Sequence, residues 1–264
     1  MISIIKYNDF LLEHKLWYKT IPQLLNWIEK KSIDNDWVWL DTETTGLGGP
    51  KKTQLTQISA ISTKYNFKSN TFTKKDSFNK KIKLTEDTKR KMNQPDSNVK
   101  WVLSFNRYGE KAGKYFDEDF VMNEFHQWLN EQNNPMLVIQ NAQFDMNMLN
   151  ARYKDIKFDD EIFDTKSLIQ LYYLPTVQKL SETDDFYKSL IEEISTSTRD
   201  KGLLNSSMKK IGPILKIDMT DYHDALKDCI ITITMVSKII DFLKENSDLD
   251  IMKYQKERIE TLLK

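Results

Sequence analysis

Residues 37–47 read WVWLDTETTGL, an apolar run that ends on Asp41 and places a second carboxylate, Glu43, two positions further on. Side chains two apart in an extended chain share a face, so both acids crowd one spot at the end of a buried strand. Like charges that close raise each other's pKa unless a cation lies between them. One resolution is a metal site, whose missing ligands the rest of the chain has to supply.

Working outward, QLTQISAIS (54–62) alternates as a second strand and YNFKSNTF (65–72) reads as a third, giving an antiparallel meander. DEDFVMNEFHQWLN (117–130) sets Phe120, Phe125, Trp128 and Leu129 on one helical stripe, and MLVIQN (136–141) is the next strand. FDMNMLNARY opens a helix with Met148, Leu149 and Tyr153 inward, and EIFDTKSLIQLYY (161–173) is a short strand followed by a helix. The last long element is DALKDCIITITMVSKIIDFLKE (224–245), N-capped by Asp224, with Ile230, Ile233, Val236, Ile240 and Leu243 as its buried stripe. Strands first, then strands interleaved with helices, predict an α/β fold with one mixed sheet and helices packed on it.

Residues 1–35 precede the first strand and predict an N-terminal helical extension, with Thr20 as N-cap before Pro22 and Ile21, Leu24, Leu25 and Ile28 at helical spacing. It packs on the body or docks a partner. Residues 246–264 predict a C-terminal helix. Two segments, near 64–116 and 178–201, read as insertions; the first holds the chain's most basic window, 64–91. A charge run is ordinarily a solvated face. The alternative is a phosphate-tracking strip, with Phe67, Phe72 and Phe78 offering faces for stacking.

The chain has 264 residues, 39% of them hydrophobic and 30% charged, with a formal net charge of zero. No global field attracts nucleic acid, so any basic face is local. The single Cys229 excludes an internal disulfide and suits a reducing interior. Without an apolar run near the length of a membrane span or a basic-then-apolar leader, the expectation is a soluble, cytoplasmic protein with no membrane partner. Abundant Lys, Asn and Ile beside 7 Gly fit an AT-rich coding genome, viral or low-GC bacterial.

Further acids follow or face apolar elements, where a lone carboxylate is costly. Asp145 in NAQFDMNML opens a helix after the strand at 137–141, and HDALKD places His223 at a helix start with Asp228 five residues on. Four such carboxylates converge only around divalent cations, and oxygen ligation suits the hard ions Mg²⁺ and Mn²⁺. The bland readings are a solvated strand end for Asp41 and Glu43, a helix-dipole acid for Asp145, and a passive His223. Asp164 in FDT is a helix cap or a supporting acid.

Together these motifs resemble the DEDD superfamily of 3′→5′ exonucleases, in its histidine (DEDDh, DnaQ-like) branch. D-x-E-T-T-G-L stands as Asp41 to Leu47, N-A-x-F-D-x-x-x-L as Asn141 to Leu149, and H-x-A-x-x-D as His223, Ala225 and Asp228. The resemblance covers about 36–245 and implies an RNase H-like fold, here a mixed five-stranded sheet flanked by helices. It further implies two divalent cations roughly 3.5–4 Å apart that clamp the attacking and leaving oxygens of an in-line displacement. By that likeness Asp41 bridges both ions, Glu43 and Asp228 complete the one that holds the attacking water, and Asp145 helps hold the other. His223 takes the proton from the water. Thr44, Thr45 and Leu47 match positions around the terminal nucleotide, Leu47 wedging against its base, and Asn141 and Phe144 match positions lining the same groove.

The function so implied is a metal-dependent exonuclease on single-stranded DNA 3′ ends, releasing 5′-mononucleotides in proofreading or DNA degradation. One alternative is the same chemistry on RNA ends. Another is a catalytically idle nucleic-acid-binding or polymerase-docking module, with a polymerase or replication protein as partner.

Overall fold

The computed structural model describes residues 20–94, 97–106, 108–109, 114–152, 162–195 and 204–262. The expected inward Tyr153, the first part of the N-terminal extension and the end of the acidic insertion lie outside the described residues.

Helix α1 (Ile21–Asp34) starts as its sequence dictates: the Thr20 hydroxyl accepts the Gln23 N–H while the Gln23 side chain accepts the Thr20 N–H, and Pro22 sits in the first turn. Its Ile21, Leu24, Leu25 and Ile28 are buried in the main core, so this part of the extension packs on the body.

The sheet has strand order β4-β3-β2-β1-β5-β6, with β1 Trp37–Thr44, β2 Leu55–Asn66, β3 Thr71–Ile82, β4 Tyr115–Phe116, β5 Met136–Ile139 and β6 Ile162–Asp164. β1, β2 and β3 form the antiparallel meander; β5 and β6 add in parallel beyond β1. The mixed α/β sheet is as expected, with six strands rather than five. The sixth, β4, is two residues paired in parallel with the end of β3, too short to leave any periodic signal.

Two local readings are corrected. YNFKSNTF is not one strand but the end of β2, the hairpin turn at 67–70 and the start of β3: the Asn66 side chain accepts the Lys68 and Ser69 N–H groups, and Asn70 takes φ 50°. The basic segment that follows is therefore the strand β3 itself. Its Phe78 is buried against Phe125 and Trp128, while Phe72 stacks on Tyr65 and Phe67 lies under the Lys244 ammonium, so none of the three offers a free stacking face. Lys75 pairs with the buried Asp36 and Lys80 with Glu124.

Successive side chains on β1 feed two cores. Trp37 and Trp39 point to the face covered by α1 and α9 (Ala225–Glu245), where Met235, Val236, Ile239 and Ile240 meet them. Val38 and Leu40 point to the other face, toward α4 (Glu118–Asn130) and α5 (Ala142–Arg152). The α9 stripe is rotated from the expected one: Ile230 is exposed and Ile233 only partly buried, while Asp228, Cys229, Ile231, Thr232 and Met235 are inside. Asp228 has to face the end of β1, and Ile230, about 200° further round the helix, then faces solvent. On α4, Phe120 is likewise exposed, stacked on Phe116. The C-terminal helix, α10, spans Met252–Leu262. No helix among the described residues is long and apolar enough to cross a membrane.

Candidate active site

The site lies where β1 outruns its neighbour. Pairing with β5 stops at Leu40–Ile139, whereas pairing with β2 continues to the end of β1. Asp41 and Glu43 continue the face of Trp37 and Trp39, and α9 brings Asp228 to them from that side. Thr42 continues the opposite face, where Asp145 in the first turn of α5 accepts both its N–H (3.0 Å) and its hydroxyl (2.6 Å) on Oδ1. Helices on both faces of the sheet thus deliver one carboxylate each to the same strand end.

Ligand atoms of Glu43, His223 and Asp228 all lie within 4.8 Å of one another. Glu43, Asp145 and Asp228 are buried and Asp41 is partly exposed. Burial first, and mutual repulsion among the acids second, raise the Asp41 and Glu43 carboxyls well above their usual range. Asp228 is raised chiefly by burial as well, as is Asp145 despite the Thr42 bonds that favour its charged form. Carboxylates held this close repel one another, and their oxygens are the donors that hard divalent ions take. The residues present fit such ions: Asp41, Glu43, Asp145 and Asp228 could hold them.

His223 sits just before α9 with φ 75°, a left-handed backbone, and donates its N–H to both oxygens of Asp228 at 3.3 Å. Its ring lies 3.8 Å, centroid to centroid, from that of Tyr222. Burial, with the Lys209 ammonium adding to it, pushes the imidazole down to about 4. The ring is therefore neutral at physiological pH and a weaker base than a free imidazole.

These groups line a cleft of about 820 Å³. Of the residues matched to a nucleotide groove, Thr44, Leu47, Asn141 and Phe144 line it. Thr45 does not: its N–H donates to the Gln54 carbonyl and its hydroxyl accepts the Gln54 N–H, so it is spent extending the β1–β2 ladder. Asp164 combines the two roles open to it. Buried at the end of β6, it caps the following helix through the Lys166 and Ser167 N–H groups and also accepts the Asn141 and Ala142 N–H groups at the start of α5. It thereby sets the turn that carries Asp145.

Sequence reading missed Thr42, Trp101, Asn106 and Lys166. Lys166 lines the cleft and donates to Asn141 Oδ1 at 3.0 Å. Asn106 donates to the Thr44 carbonyl at 3.1 Å. Trp101 lies in the segment that reads as an insertion. Thr42 alone left a signal, as the residue between the two acids that must face the other side of the strand.

The Exonuclease (RNase T) family matches residues 38–236. No curated protein matches the chain. Among solved structures, it is similar to zinc-bound E. coli exonuclease I in complex with single-stranded DNA, at TM-score 0.55 and 14% identity, over 84% of this chain and 42% of that one. It is similar also to E. coli exonuclease I in complex with a dA16 oligonucleotide, at TM-score 0.54 and 15% identity, over 87% of this chain and 43% of that one. At such identity the likeness is one of fold, and the chain spans less than half the length of those it matches. The family match covers most of the sequence and includes every one of the converging acids, so the chain belongs to the exonuclease family.

Proposed function

We propose that the protein is a metal-dependent 3′→5′ exonuclease that removes 5′-mononucleotides from single-stranded DNA. The observation that carries this reading is the gathering of Glu43, Asp228 and His223 within 4.8 Å, with Asp41 and Asp145 at the same strand end. A module that only bound nucleic acid would have no need of so costly a cluster. The DNA complexes formed by exonuclease I, which shares the fold, support a single-stranded DNA substrate.

Divalent cations, Mg²⁺ or Mn²⁺, would supply charge neutralisation at the scissile phosphate and lower the pKa of water. Asp41, Glu43, Asp145 and Asp228 would hold them. His223, neutral and fixed to Asp228 through its backbone, takes the proton of the attacking water. Phe144 and Leu47 border the terminal nucleotide, and the Lys166 ammonium adds a positive charge to an otherwise acidic wall. The biological setting we favour is proofreading or DNA degradation, with a replication protein as partner; another solved structure of this fold is an ExoI/SSB-Ct complex, at TM-score 0.52 and 14% identity.

The test is one assay: 5′-labelled DNA and RNA oligonucleotides with Mg²⁺ or Mn²⁺, against the Asp41→Ala protein. A DNA ladder shortening from the 3′ end, lost with chelator and in the variant, is the expected result. Binding without shortening would favour the idle module, and faster loss of RNA would move the substrate to RNA.

A further inference from the structure

Helix α10 lies beyond residues 38–236, the part of the chain that the exonuclease family matches. Its inward stripe is Ile251, Gln255, Arg258 and Ile259, at helical spacing and all buried. Ile251 and Ile259 join the main core, as such a stripe ordinarily does. Gln255 (1% exposed) and Arg258 (4%) break the pattern, and burying a guanidinium costs far more than burying an apolar side chain in its place.

What these two hold is the cleft. Gln255 Nε2 donates to the Leu171 carbonyl at 2.8 Å, and Arg258 Nη2 donates to the Leu204 carbonyl at 2.6 Å. Leu171 belongs to a π-helical turn, Ile169–Tyr173, a winding that recurs at functional sites, and its neighbour Gln170 lines the cleft. Leu204 opens the run Leu204–Met208, every residue of which lines the cleft. Two side chains three apart on one helix face therefore tie down two separate stretches of cleft wall. Neither stretch carries an acid. Asn205, Ser206 and Ser207 offer an amide and two hydroxyls, where the end of β1 offers carboxylates.

From this arrangement, and resting on the exonuclease reading above, we propose that Arg258 and Gln255 are positioning residues that set the neutral wall of the cleft against the sugar–phosphate backbone of the bound strand. The occupant follows from charge. The acids repel a polyanion except where cations neutralise them, so the strand on either side of the scissile phosphate needs contacts without negative charge. Ser and Asn side chains hydrogen-bond phosphate and sugar oxygens without reading the bases. A loop keeps such groups in place only if its backbone is fixed. Arg258 fixes it at the Leu204 carbonyl, the Asn205 N–H reaches the Ile194 carbonyl, and Asn205 Oδ1 accepts the Ser207 N–H at 2.9 Å.

The test measures Kd for fluorescein-labelled, phosphorothioate-linked oligothymidine in Mg²⁺, with KM and kcat on the ordinary strand and unfolding in urea beside it. Ser206→Ala with Ser207→Ala is expected to raise Kd and KM roughly threefold to tenfold, the worth of one lost hydrogen bond, with kcat and the Mg²⁺ requirement unchanged. Arg258→Met should raise them as much, and should add nothing to the serine pair, because it acts through them. Gln255→Leu should raise them likewise and add nothing to Gln170→Ala; it stands in if Arg258→Met does not fold. A serine pair with wild-type Kd and KM overturns the proposal. So do losses that multiply in the combined proteins, or an Arg258→Met protein that is less stable yet binds at full strength. If the wild type shortens ordinary DNA in those cases, the nuclease reading stands. If it binds the strand and never shortens it, the nuclease reading falls, and the Kd series alone judges the wall.

Discussion

Thr42 donates two hydrogen bonds to a single oxygen of Asp145, across 103 positions of sequence. The bond from its backbone exists because β5 ends before β1 does, leaving that N–H without a strand partner. It fixes the rotamer of the one site acid that arrives from the far face of the sheet. Thr42→Val keeps the branched shape and removes only the hydroxyl donor. Supports of this kind are worth roughly 10–100-fold in metal affinity or activity. The expected loss is therefore in the Mg²⁺ concentration needed for half-maximal activity, with Thr42→Ser restoring it; an unchanged Mg²⁺ titration would show the bond to be incidental.

The acids also make a prediction about stability. Asp41, Glu43, Asp145 and Asp228 sit above their unfolded values, so without a cation each favours the folded state in its protonated form. That contribution is whole below about pH 4 and is lost as pH rises through the folded values, about 7 for Asp145 and Asp228. Chelated protein should therefore melt on the order of 5–10 °C lower at pH 8 than at pH 5, and Mg²⁺ should close the gap. Glu43→Gln should raise the melting temperature of the chelated protein while abolishing hydrolysis. A chelated protein equally stable at both pH values would contradict the crowding.

Replacing His223 by Ala removes the proposed proton acceptor and leaves the four acids. The expected effect is a fall in kcat of roughly 10²–10⁴-fold with little change in oligonucleotide Kd. Comparable losses in Kd and kcat would mean that the ring holds substrate rather than serving as a base.

Asp164 does not itself line the cleft, yet it ties the start of α5 to the next helix. Asp164→Ala leaves several buried N–H groups without an acceptor, a change worth about 3 kcal/mol or more in stability. Chemical denaturation should register that loss. The surviving folded fraction should also need more Mg²⁺, because Asp145 rides on the same turn.

The basic strand β3 is expected to behave as a structural face. Neutralising Lys75 removes a cationic partner of the buried Asp36, which keeps the Asn133 N–H, and Lys75→Met should cost about 1–3 kcal/mol. Lys75→Met with Lys80→Met should leave the salt dependence of DNA binding unchanged. A slope shallower by about one per charge removed would instead make the strand a phosphate track.

Legibility followed the physics of spacing. Asp41 and Glu43 share a face because strand side chains repeat every two residues, and the Thr20 cap follows from a local hydrogen-bonding rule. Ile230 was misread because helical period alone leaves the phase of the buried stripe open, and only Asp228 facing the strand end sets it. The turn at Asn66–Asn70 looked like a strand because its aromatic neighbours carry strand composition, while the side-chain bonds that close it are invisible in composition.

Motif spacing and periodicity are local properties of the chain, so the candidate acids, the candidate histidine and most of the elements that bear them were legible before folding. Tertiary structure alone decided that Thr42 holds Asp145, that Asp164 joins two helices, that Thr45 faces away from the cleft, and that Trp101 stands at its rim. The first two depend on backbone N–H groups left over where β1 outruns β5 and where two helices begin. Which groups are left over is known only once the strands have paired.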